Sequence, residues 1–279
     1  MSLALTSPRG RGLRIVSNLV LVLIGVAFLL PMVWLVLASF DTRATLTAKA
    51  PEFTLDNFTK VLTPENAWIP LGNSLIISAG TALLTVVVAV LAAYPLSRYS
   101  LRINRPFLYG VLFGTCLPIT AMMVPVYGLF VALDLLNSFP GIILFLAATS
   151  LPMAIWMAKN FMDSVPISIE EAAWTDGSSM LSTLLRVVVP LMRPGIGVVF
   201  IFVFIQAWGN FFVPFILITD PGQMPAAVTI YNFFGAYGAV AYGQLAAFSL
   251  LYSVPVLALY VLVQRFSGGS FALAGAVKG

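Results

Sequence analysis

Histidine is absent from the 279 residues and cysteine occurs once, at Cys116. Those two scarcities remove His-based metal centres, Ser-His-Asp and Cys-His catalysis, and any intrachain disulfide. Charge is equally thin, at 9% of the chain against about 25% in an ordinary globular domain. The fourteen basic and ten acidic residues leave a dispersed net charge of +4, which excludes a nucleic-acid surface. What the chain has in abundance is apolar: 60% hydrophobic residues and a mean hydropathy of +1.02. The expected fold class is therefore an all-α polytopic membrane protein. In lipid every backbone amide must bond within its own segment, and the alternation of a barrel strand is not seen.

A hydrocarbon core needs roughly 20 apolar residues per helix. Six stretches qualify, near 15–39, 71–96, 106–131, 139–160, 194–218 and 243–265. The first follows Arg9, Arg11 and Arg14 without a small-residue cleavage site and reads as a retained anchor. With both ends on one side, that side carries Arg9, Arg11, Arg14, Arg98, Arg102, Arg105, Lys159, Arg186, Arg193, Arg265 and Lys278, against Arg43, Lys49 and Lys60 opposite. This asymmetry places both termini in the cytoplasm. The resulting plan is a cytoplasmic segment 1–14, a membrane domain 15–265 with an external loop at 41–67 and an internal loop at 160–193, and a cytoplasmic tail 266–279. Pro31, Pro95, Pro118, Pro125, Pro152, Pro214 and Pro255 fall in or at the ends of spans, where proline either kinks a helix or is tolerated.

The internal loop carries the most information. From Val165 it reads Val-Pro-Ile-Ser-Ile-Glu-Glu-Ala-Ala-Trp-Thr-Asp-Gly, ending at Gly177, and continues through an apolar-periodic run to Pro190. Ser168 fits an N-cap, and Glu170 and Glu171 fall in the first turn, where the helix dipole favours acids. Gly177 can end the helix in the left-handed conformation, Ser178 or Ser179 can cap the next, and Pro190 can stop it. Two short helices at a bend follow. Ala172 and Ala173 leave a surface that another backbone can approach closely, and Glu171 offers a charge to an arginine or lysine. Two readings stand: a helix that docks into a partner's groove, or an amphipathic helix lying on the membrane or on its own bundle.

Glu171-Ala172-Ala173, Gly177, Val187, Val189 and Pro190, at their spacing and between spans four and five, resemble the cytoplasmic loop signature of binding-protein-dependent ABC importer permeases. The likeness extends to Asn73-Ser74-Leu75, to Pro118 and Pro125, to Pro140-Gly141-Ile142-Ile143-Leu144, and to Trp208-Gly209-Asn210-Phe211. The end, Gly275-Ala276-Val277-Lys278-Gly279, looks like the tail of the maltose-type subunit that lacks the large external domain. The chain departs from related sugar permeases at Gly209 and Asn210, where asparagine and an acid are frequent, and at Val187 and Val189, where the signature prefers isoleucine and leucine. The resemblance implies an ABC importer type I permease fold in a bacterial cytoplasmic membrane and a role in carbohydrate uptake. It implies a second homologous permease, two ABC ATPase subunits and an extracytoplasmic solute-binding protein or lipoprotein as partners. It also implies that Glu170, Glu171, Ala172, Ala173, Asp176, Gly177 and Pro190 couple to the ATPase, and that Gly275, Ala276, Val277, Lys278 and Gly279 reach it as well.

No Gly-x-x-x-x-Gly-Lys-Ser/Thr loop is present, so ATP and Mg would be used by the partner ATPases, with no cofactor or metal held by this chain and no catalysis of its own. For the solute path, Asn73, Gln206, Trp208, Asn210 and Tyr242 are the candidates, since sugars need hydrogen bonds for hydroxyls and aromatic faces for rings. Small polar side chains also hold helices together in lipid, at about 0.6 kcal/mol each. No ionisable residue lies mid-span, which argues against a proton- or sodium-coupled carrier. An ABC permease for another solute, such as glycerol phosphate, an amino acid or a polyamine, stays open.

Overall fold

The computed structural model describes residues 8–47, 51–100, 102–116, 118–234 and 240–266. Regular structure among them is helical, with two isolated bridges, Asp41 with Phe53 and Phe234 with Val240. The chain divides into two compact units, residues 1–63 with 232–251, and residues 64–231 with 252–279.

The first unit opens with α1 (Pro8–Ser39), in which every side chain from Ile15 to Val33 is exposed. Beyond it the chain turns back on a buried aspartate. Asp41 accepts the backbone N–H groups of Arg43 and Glu52, each at 3.1 Å. Asn57, in α2 (Asp56–Val61), donates its amide to the carbonyls of Ser39 at 3.1 Å and Asp41 at 2.9 Å. These bonds satisfy the buried polar groups that a turn at the end of an apolar helix creates.

The second unit begins with a π turn at Pro64–Trp68 that runs into α3 (Ile69–Arg98). There follow α4 (Asn104–Gly114), α5 (Ile119–Ala132), α6 (Phe139–Asp163), α7 (Ile167–Thr175), α8 (Met180–Thr183), α9 (Val189–Leu191), α10 (Arg193–Trp208), α11 (Phe212–Leu217) and α12 (Ala226–Thr229). The last helix, α13 (Tyr242–Phe266), is shared between the units. Ala82, Ala89 and Ala93 recur on one face of α3 and meet Ala154, Ile155, Ala158 and Met162 of α6 and Val199, Val203 and Phe204 of α10. In lipid, helices associate by close packing, and alanine lets the backbones approach. Gly80 takes this furthest: a Cβ there would lie 2.7 Å from Ile143 Cδ1.

Four described helices are long and apolar enough to cross a membrane, Ile15–Ser39, Pro64–Arg98, Phe139–Asp163 and Tyr242–Arg265, and two bent pairs raise the number to six. The first of these pairs is the expected 106–131 span, the second joins the internal loop to α10, and the expected 194–218 span is itself interrupted. The 106–131 span divides into α4 and α5 because Pro118, extended at φ −67° and ψ 125°, has no N–H to continue the ladder. The 194–218 span ends at Trp208: the Asn210 carboxamide oxygen accepts the N–H of Val213 at 3.0 Å, giving the backbone a non-helical alternative, and α11 starts afresh.

Two expectations for the loop are also corrected. The N-cap of α7 is Pro166, at φ −60° and ψ 130°, and Ser168 lies inside the helix, because the proline already supplies the non-helical residue from which it starts. Pro190 does not stop its helix. A π turn at Leu184–Val188 widens the helix just before it, and α9 runs through the proline to Leu191. The direction changes after that, by 79° between Met180–Leu191 and Arg193–Trp208. Residues 1–7 and the expected ATPase-reaching tail, Gly275 to Gly279, lie outside the described residues.

Candidate functional site

Helix α7 presents most of its surface outward and one side chain inward. Glu171, Ala172, Thr175 and Asp176 are exposed, Ala173 is half-buried, and the apolar Ile167, Trp174, Met180 and Leu181 are exposed beside them. The helix closes on Gly177, at φ +84°, whose N–H donates to the Trp174 carbonyl while the N–H of Ser178 donates to that of Ala173, both at 3.0 Å. This is the Schellman pair of bonds, and it requires the left-handed residue at that point. Ser179 caps α8 by accepting the N–H of Ser182 at 3.4 Å.

Glu170 is the inward residue, with its side chain 0% exposed. Its Oε1 accepts from Arg98 Nε at 2.6 Å and pairs with Arg98 Nη2 at 2.5 Å, and its Oε2 accepts from the Tyr94 hydroxyl at 3.0 Å. Arg98 also donates to the Val165 carbonyl at 3.1 Å and to Ser97 Oγ at 3.2 Å. Ser97 in turn donates to Asp163 Oδ1, whose other oxygen pairs with Lys159, both at 2.6 Å. Glu170 therefore belongs to the chain's own interior, whereas Glu171 keeps its charge outside. Arg98 and Lys159 count in the sequence only as basic residues of one side, and Tyr94 as an apolar ring. Pairing across 72 residues leaves no local signal.

The membrane part of the unit holds a cavity of about 610 Å³ between α4, α5, α6 and α10. Its polar lining is Thr115, Thr149, Ser150, Gln206 and Asn210, set among Met122, Phe145, Met153 and Phe202, and no charged side chain lines it. Of the solute-path candidates, Gln206 and Asn210 meet here. Asn73 is buried elsewhere, donating to the carbonyls of Gly222 and Met224 at 3.1 Å each, beside Ser74, which accepts the N–H of Ala226 at 2.8 Å. Trp208 is buried between rings, 5.6 Å from Phe204 and 5.2 Å from Tyr252, whose hydroxyl donates to its carbonyl. Tyr242 opens α13 in the other unit. The thioethers and phenyl rings of the lining read in the sequence as ordinary span residues, and the α4–α5 break is what lets Met122 and Thr115 face one space.

Residues 85–268, which include the loop and the cavity, match the family described as binding-protein-dependent transport system inner membrane component. The chain belongs to this family. Among its relatives, a sulfoquinovosyl glycerol transport system permease of Agrobacterium fabrum is 31% identical with all of both chains covered. A glucose import system permease of Saccharolobus solfataricus is 31% identical over 94% of each chain. In three dimensions the permease resembles a chain of a bacterial ABC transporter involved in import of the acidic polysaccharide alginate, with a TM-score of 0.80, 21% identity and coverage of 93% and 98%. The fold is thus that of an ABC importer permease, a multi-pass membrane subunit that works with ATPase and solute-binding components. It is a transport subunit by family, and α7 and the cavity lie in one of its compact units.

Proposed function

We propose that this permease carries a neutral sugar or sugar derivative across the cytoplasmic membrane as one of two permease subunits above two ATPases, with an extracytoplasmic binding protein delivering the solute. The observation that carries the reading is the surface of α7. It exposes a carboxylate, an alanine and neighbouring apolar side chains on a nine-residue helix, with a second alanine half-buried and Glu170 alone turned fully inward. Such a surface fits a groove in a protein better than it fits water, since exposed apolar area clustered at a helix end gains by being covered. Nucleotide-driven closure of the ATPases would displace α7 and switch the spans between inward- and outward-facing states, a rigid-body type of transition. With the basic residues on the loop side, α7 and both ends of the chain face the cytoplasm.

The uncharged cavity supports a neutral carbohydrate over the other solutes. Glycerol phosphate, amino acids and polyamines each bring a charge, and a buried charge without a partner is costly. Hydroxyl and amide groups among apolar surfaces suit a pyranose, whose rim is polar and whose faces are not. In proteoliposomes holding the whole complex, ATP-dependent uptake should be found within a panel of labelled neutral saccharides, and Gln206→Leu should raise the half-saturating concentration without changing basal hydrolysis. Uptake confined to charged solutes would refute the assignment.

A further inference from the structure

We propose that Arg98 and Tyr94 of α3 are positioning residues of the coupling mechanism: through the buried carboxylate of Glu170 they make α7 move as one body with α3 and α6. The proposal rests on reading α7 as the ATPase-docking helix. A helix of nine residues joined to α6 by the three residues 164–166 has no intrinsic reason to carry force into the membrane. Backbone rotations in so short a linker would let it rock.

The polar network removes that freedom. Both oxygens of Glu170 are engaged, Oε1 by Arg98 and Oε2 by Tyr94, and both donors stand on the last turns of α3. Arg98 also grips the Val165 carbonyl, inside the strand of chain that enters α7, so the helix is held at its start and at its fourth residue. The same guanidinium bonds Ser97, which ties α3 to Asp163 and Lys159 on α6. The Arg98 and Glu170 side chains are 6% and 0% exposed, so the attraction works where water screens it least. A planar guanidinium against a carboxylate also fixes direction, which a point charge would not.

On the opposite side α7 packs against α8 and the Leu184–Val188 turn, a contact that no ion pair among the described residues fixes. α7 leaves through Gly177, with nothing within 4 Å of its Cβ position, and reaches α10 only after the 79° bend. Among the described residues, the ion pairs of this region all lie on the α3–α6–α7 side. A displacement of α7 therefore reaches α3 and α6 directly through the polar network, and reaches α10 only by way of apolar packing and across the bend.

The test uses the full complex, with second permease, both ATPases and binding protein, in proteoliposomes. It reads ATPase co-purification, ATP hydrolysis and solute transported per ATP. In Arg98→Gln the ATPases should co-purify at the native ratio while transport per ATP falls about tenfold or more, since an unpaired carboxylate is left buried. Tyr94→Phe, which removes one hydroxyl and keeps the ring, should lower it about threefold. Pairing Arg98→Gln with Glu170→Gln restores a neutral hydrogen-bonded contact and should recover most of the loss, as coupled residues do in a double-mutant cycle. Unchanged transport per ATP in Arg98→Gln, or in Tyr94→Phe should the first variant fail to insert, overturns the proposal. Loss of the ATPases from Arg98→Gln also overturns it, for the network would then merely hold the docking surface in shape. Failure of the docking reading looks different: Glu171→Lys and Gly177→Val would keep both the ATPases and coupled hydrolysis, whatever Arg98→Gln does.

Discussion

The most exacting perturbation is at Gly177, because there the conformational cost can be isolated from packing. Its φ of +84° lies in the left-handed region, and a Cβ added to it would meet nothing within 4 Å. Any effect of Gly177→Ala is therefore backbone strain, worth about 1–2 kcal/mol for an L residue. Gly177→Val adds β-branching and should exceed it, whereas Gly177→Asn, whose side chain tolerates this conformation, should lose only part of it. A cost of 1–2 kcal/mol lowers the population with both closing bonds formed by about 5- to 30-fold. Hydrogen exchange measures this at two amides, those of Gly177 and Ser178, which donate to Trp174 and Ala173. Protection at both should fall in the order Gly, Asn, Ala, Val, and hydrolysis stimulated by the loaded binding protein should fall in the same order. Equal protection in Gly177→Ala and the native chain, or Gly177→Asn as damaging as Gly177→Val, would refute the reasoning.

Other positions give sharper structural tests. A Cβ at Gly195 would overlap the first carbons of the Phe161 side chain, so Gly195→Ala should destabilise the detergent-purified subunit by about 1–3 kcal/mol, read as a lowered melting temperature. Asn73→Leu strips the Gly222 and Met224 carbonyls of their donor at a cost of about 1–3 kcal/mol, and should make the 221–226 segment more sensitive to protease without altering ATPase co-purification. In a Cys116→Ser background, Thr54→Cys should react with an impermeant reagent in intact cells and Ser179→Cys should not; the reverse pattern reverses the topology. Deleting residues 275–279 should lower coupled ATP hydrolysis while leaving insertion and assembly unchanged, and unchanged hydrolysis would leave the tail without a coupling role.

Composition alone was enough for the membrane class, because a helix in lipid has few alternatives. The left-handed end at Gly177 and the cap at Ser179 were legible as well, since each depends on a few adjacent residues. The breaks near Pro118 and after Trp208 were harder. Hydropathy sums over a window and does not register that an asparagine side chain can outcompete a helical bond. Glu170 and Glu171 look equivalent in a line of letters; only the fold shows that one faces Arg98 and the other does not. Asn73 and Gln206 were alike as amides in an apolar span, yet one closes a distant loop and the other lines a cavity. Such distinctions depend on what lies opposite, and that is set by helix packing rather than by helix sequence.

The contrast between α1 and α6 bears on how the chain is made. Eighteen residues of α1 reach a mean hydropathy of 2.9 with none of them buried, whereas eighteen of α6 reach 1.9 with 39% of them buried, and α6 packs Ala154, Ala158 and Met162 against α3 and α10. The first can leave an insertion channel on its own solvation energy. The second exchanges lipid contact for contact with its neighbours, and some of its apolar character is replaced by fit. During biosynthesis α6 would then be the segment that lingers, held at the channel until α3 is beside it. A fault in the alanine seam would show itself as a failure of topogenesis before any transport could be measured.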